Sequence, residues 1–120
     1  MTPNNYQKLA SRTLTAKPEE ALDDAQSMLV WNALGLVGEA GEVAEYVKKA
    51  IFHRHDLDRE KLKKELGDVL WYAAALCTNL DLTMEEVMEA NIEKLQQRYP
   101  DGFSSNASKN RNVNANRTEL

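Results

Sequence analysis

From Leu29 to Ala50, and again from Leu62 to Leu80, apolar residues return every three or four positions, and no segment shows the alternation of a half-buried strand. This periodicity confines the fold to helices packed on one another. The first series reads Leu29, Ala33, Leu36, Ala40, Val43, Val47 and Ala50, and the second Leu62, Leu66, Val69, Ala73, Leu76 and Leu80. Steps alternating between four and three make narrow seams suited to pairing the two helices. The pattern predicts one helix from residue 19 or 24 to 52, with Gly35, Gly38 and Gly41 as points where it would bend or split. Asp58 is the expected N-cap of the next, which runs to about Leu80. Thr83-Met84-Glu85-Glu86 has the form of a capping box and opens a further helix to about Arg98, ended by Pro100-Asp101-Gly102. A short helix over residues 4–15, broken near Lys17-Pro18, completes an all-α, four-helix bundle-type chain.

The domain is expected to span residues 1–103. Beyond it, residues 104–120 are rich in Ser and Asn and poor in large apolar groups, the composition of a disordered tail. A bundle this small buries a modest core, so completion by association into a homodimer or homotetramer is expected. The net charge of -4 argues against a nucleic-acid partner. Cys77 is the one cysteine and sits in an apolar helical pattern, so it is read as a core residue. No secretory pattern opens the chain and no run reaches membrane-spanning length, so a cytoplasmic location without a membrane partner is expected.

The chemistry is concentrated in two acidic pairs, Glu39 with Glu42 and Glu65 with Asp68. Each pair is spaced i, i+3 and lies about 60° apart on one helix face. Each also sits one residue before a seam position, on a series that reads Asn32, Gly35, Glu39, Glu42, Tyr46 and Lys49 in the first helix. In the second it reads Lys61, Glu65, Asp68, Tyr72, Ala75 and Asn79. The short connection between the helices makes them antiparallel neighbours. Edges displaced in the same sense from the seams of an antiparallel pair fall on the same side, and the heights of the two pairs agree to within about 4–5 Å. Four carboxylates therefore converge. They cannot all stay ionised without compensation, and an all-oxygen donor set suits Mg²⁺ or Mn²⁺. His53 and His55 lie in the connection and are read as surface residues.

The runs Gly35-Leu-Val-Gly-Glu-Ala-Gly-Glu-Val-Ala-Glu45 and Glu65-Leu-Gly-Asp-Val-Leu-Trp-Tyr72 resemble the MazG-like group of the all-α nucleoside triphosphate pyrophosphohydrolases. The family pattern E-E-x-x-E, then E-x-x-D, is met by Glu39, Glu42, Glu65 and Asp68. Gly38 replaces its first Glu, and Glu45 is either a substitute or a solvated residue. The resemblance implies a Mg²⁺-dependent hydrolase that cleaves nucleoside triphosphates to monophosphate and pyrophosphate, working as a homodimer or homotetramer. It implies metal binding by Glu39, Glu42, Glu65 and Asp68, with Glu39 or Glu42 activating the water. It further implies that Asn91, Lys94 and Arg98, which share a helix face at i, i+3 and i+7, hold the substrate phosphates. Tyr46 and Tyr72 are candidates for sugar or base contact, whereas Trp31 and Trp71 are read as core or interface residues.

Two other classes compete. A dimetal oxidoreductase on a helix bundle needs Glu-x-x-His motifs, and neither acidic pair has a His partner. A non-enzymatic helical interaction module would explain acids on a solvated face but not two pairs on one side. Within the hydrolase reading, dUTP, other nucleotides and guanosine alarmones all stand open as substrates.

Overall fold

Thr2 accepts a hydrogen bond from the Asn5 amide at 3.1 Å, and Pro3, with its fixed φ, occupies the first turn. Together they start α1, Pro3–Ser11. The computed structural model describes residues 1–14, 24–103, 106 and 109. The first helix ends earlier than the periodicity predicts. The amides of Arg12, Thr13 and Leu14 bond three residues back, to Leu9, Ala10 and Ser11, which tightens the chain out of the α-helical ladder. The expected break at Lys17-Pro18 lies outside the described residues, as does the expected tail apart from Asn106 and Lys109.

The second helix, α2, covers Asp24–Phe52 without interruption. Three glycines cost about 1 kcal/mol each against alanine, too little to break a helix whose packing continues on both sides of them. After a short exposed connection, Asp58 caps α3, Arg59–Asn79, its carboxylate accepting from the Glu60 and Lys61 amides at 3.0 and 3.3 Å. The last helix, α4, covers Met84–Arg98, with Glu85 and Glu86 in its first turn as the helix dipole favours. Gly102 adopts a left-handed φ of 86° and donates to the Tyr99 carbonyl at 3.0 Å, closing the turn after α4. The fold is all-α, with four helices and no strand among the described residues. None of these helices is long and apolar enough to cross a membrane.

The chain divides into two units, Met1–Thr83 and Met84–Leu120. In the first, α3 packs against both α2 and α1. Gln7 of α1 donates to the Leu82 carbonyl at 2.8 Å, and Cys77 is buried, as its place in the pattern predicts. In the second unit α4 has no buried residue.

The α2–α3 contact departs from the expected seam. Two of its covered residues, Asn32 and Ala75, stand one position earlier, on the series that carries the acids, whereas Ala50 is buried on the seam as expected. Asn32 is 1% exposed and donates to Asn79 Oδ1 at 2.6 Å, and Ala75 is buried. Tyr72 lies so close to Gly35 that a Cβ there would run into its ring. Seam residues Ala33, Ala40, Val47, Leu66 and Leu80 are instead exposed. The reason is local: a glycine lets the ring approach the backbone, and a matched amide pair satisfies the polar group that this contact buries.

Candidate metal centre

One register relates the contacts between α2 and α3. Gly35 meets Tyr72 towards one end, and Tyr46 meets Lys61 towards the other, with the Lys61 Nζ 4.8 Å from the ring centroid. Between those points each helix advances by the same number of residues in opposite senses, which sets Glu42 across from Glu65 and Glu39 across from Asp68. Carboxylate oxygens of Glu39, Glu42 and Glu65 accordingly lie within 4.8 Å of one another. Asp68 falls outside this tightest group but faces the same recess as Glu39.

The electrostatics follow from the crowding. Glu39 is half-buried, and its Oε2 is enclosed without a hydrogen-bond partner. Its carboxyl is pushed above the ordinary range, first by loss of solvent and then by the charges of Glu42, Asp68 and Glu65. Tyr6 of α1 feels the same field: burial and the Asp68 charge raise its hydroxyl above the usual value. That hydroxyl contacts the Gly67 carbonyl at 3.5 Å, placing α1 beside the acids. A divalent cation fits this donor set. It would take hard oxygens, give the enclosed Glu39 oxygen a partner and reverse the penalty on ionised Glu39.

A model of the MazG nucleotide pyrophosphohydrolase domain matches residues 30–103. The chain belongs to the MazG nucleotide pyrophosphohydrolase family. The MazG match takes in all four acids and all of α4. A relative, the Gene 37 protein of Mycobacterium phage L5, is 38% identical over 110 residues, covering 88% of this chain and 96% of that protein. No solved structure matches the chain.

Several residues of this MazG chain find partners that the sequence leaves open. Glu45 forms an ion pair with Lys48 at 2.9 Å and approaches Lys49 at 3.8 Å, which holds its carboxyl below the usual range. It is engaged with its own helix turns and stands outside the tightest carboxylate group. A Cβ at Gly38 would meet nothing within 4 Å, so the glycine is not imposed by packing. Tyr46 is engaged in structure: its hydroxyl accepts from the Asp58 amide at 2.7 Å and fixes the connection. His53 and His55 are exposed, as expected. Asn91 and Lys94 are exposed on α4, and Arg98 closes that helix half-buried.

Trp71 is half-buried and has a partner that the sequence does not show. Its indole N–H donates to Thr13 Oγ1 at 2.8 Å, and both residues line the recess shared by Glu39, Asp68 and Tyr72. No periodicity connects Thr13 to Trp71, because the link depends on how α1 docks on α3. The one available signal was adjacency in sequence: Trp71 stands one turn beyond Asp68 and next to Tyr72.

Proposed function

We propose that the chain is a Mg²⁺-dependent nucleoside triphosphate pyrophosphohydrolase, cleaving between the α- and β-phosphates to release a nucleoside monophosphate and pyrophosphate. The observation that carries this reading is the meeting of carboxylate oxygens of Glu39, Glu42 and Glu65 within 4.8 Å of one another, with one Glu39 oxygen enclosed and unpartnered. Mn²⁺ suits the same donors. When bound, a divalent cation supplies the positive charge that offsets both the carboxylates and the triphosphate.

The residues divide the remaining work. Glu39, Glu42, Glu65 and Asp68 hold the cation. A water oxygen attacks the α-phosphorus, the new P–O bond replaces the bridging bond to the β-phosphate, and pyrophosphate leaves with that bond's electrons. The water's proton passes to whichever of Glu39 or Glu42 has an oxygen free of the cation. For the phosphates, the resemblance supplies Asn91, Lys94 and Arg98. Limiting unwanted nucleotides in the precursor pool is the role this activity would serve, in the cytoplasm.

The same proposal includes self-association into a homodimer or homotetramer. Along the outer side of α2, Val30, Leu34, Val37 and Ile51 recur at helical spacing and are 58–70% exposed. Among the described residues the largest fully buried side chain is Asn32, so these helices in a lone copy have little core to stand on. A second copy is the occupant that this face suits.

The test is pyrophosphate release from a panel of nucleotides, with and without Mg²⁺, followed together with monophosphate formation. Equal amounts of the two products, dependent on the metal, are expected. Release of single phosphates, or no turnover of any nucleotide, would sink the reading.

A further inference from the structure

Beside the carboxylates lies an open recess of ≈ 330 Å³ lined by Thr13, Glu39, Asp68, Trp71 and Tyr72. One wall is acidic and belongs to the metal centre. The other is aromatic. Trp71 and Tyr72 meet edge to face with centroids 4.9 Å apart, and Tyr72 is seated against Gly35. Trp71 is in turn fixed by Thr13. Its Nε1 donates to Thr13 Oγ1 at 2.8 Å, and that hydroxyl donates onward to the Ala10 carbonyl at 2.9 Å. The indole donor and the threonine hydroxyl are thus both engaged within the protein.

We propose that Trp71, tethered by Thr13, seats the nucleobase of the substrate and reads its face, not its edge, so that purine and pyrimidine nucleotides are accepted alike. The inference rests on the hydrolase reading of the acids and adds to it a substrate range. Trp71 follows Asp68 by one helical turn, so a base resting there leaves its phosphates beside the carboxylates. The recess falls at the small end of the range for ligand sites, about 300–1,000 Å³. Stacking on an aromatic side chain tolerates any base, because every base presents a π-face. Discrimination needs polar groups aimed at the ring edge, and here the indole N–H is already taken.

Trp31→Phe leaves Trp71 as the only tryptophan of the full chain. Its fluorescence is titrated with the four deoxynucleoside monophosphates, and calorimetry measures inorganic tripolyphosphate, all with Mg²⁺. All four monophosphates are expected to quench it, with dissociation constants within about tenfold of one another. In the wild-type background, Trp71→Ala weakens each monophosphate by about tenfold or more while tripolyphosphate binds as before, and Trp71→Phe recovers most of the loss. Preference for a single base beyond about 100-fold overturns face-only reading. Absence of quenching, or unchanged nucleotide affinity in Trp71→Ala, overturns the seat itself. Should Trp71→Ala fail to fold by circular dichroism, the quenching series alone decides. Tripolyphosphate that does not bind the wild-type protein removes the phosphate-and-metal reading, whereas the base seat is still judged by quenching.

Discussion

The two sides of α2 reverse the usual arrangement of a helix in a small domain. The side covered by α3 carries Asn32, Gly35, Glu39 and Tyr46, and the side left in solvent carries Val30, Leu34, Val37 and Ile51. Ordinarily apolar residues are covered and polar ones solvated. The covered side is organised by fit: an amide pair, a ring over a glycine, a lysine over a tyrosine. These contacts bring like charges together, which opposes folding until something positive joins them. Apolar periodicity therefore marks where a helix can pack, whereas close approach and polar matching decide which of its sides meets the neighbour first.

The largest effect is expected on the covered side. Glu42→Gln should lower metal-dependent pyrophosphate release by about 100-fold or more, while the metal-free protein melts no lower than wild type because one repelling charge is gone. Full activity in this variant would remove Glu42 from the ligand set. Next comes the solvent side. Leu34→Glu combined with Val37→Glu should convert an associated protein into a monomer by sedimentation and lower its Tm by about 5 °C or more. A wild-type chain that sediments as a monomer at every concentration would contradict the role given to that face.

Smaller effects sharpen the account of fit. Asn79→Ala leaves the buried Asn32 amide without its acceptor, which should cost about 1–3 kcal/mol in denaturant unfolding. A change within error would mean that solvent replaces the lost partner. Asp58→Ala removes the carboxylate cap of α3 and should cost about 1 kcal/mol, with activity largely kept. If activity fell with it, the connection would be aligning the acids, not merely capping a helix.

Much of this was legible in the sequence. Helix limits at 52, 58 and 98 follow from the His-Arg-His connection, the Asp cap and the Pro-Asp-Gly turn, all local signals. The acids could be brought together because an i, i+3 pair and an antiparallel hairpin fix the geometry without knowledge of packing. The tighter grouping of Glu39, Glu42 and Glu65, with Asp68 set apart, was not legible, since it turns on side-chain rotamers. The apolar stripes misled about the contact because Gly35 contributes nothing to hydropathy, yet it admits Tyr72. The Thr13–Trp71 bond was invisible for a different reason: it joins two elements whose docking is tertiary.

Tyr46 carries a consequence for how such chains diverge. Its hydroxyl grips the backbone of Asp58, the Asp58 carboxylate starts α3, and Lys61 covers the tyrosine ring. The hairpin is thus clasped above its loop, with residues 53–57 on the far side of the clasp from the acids. Insertions or deletions in that spacer can accumulate without disturbing the chemistry below the clasp, so the interval between the two acidic motifs is free to drift while their phase is not.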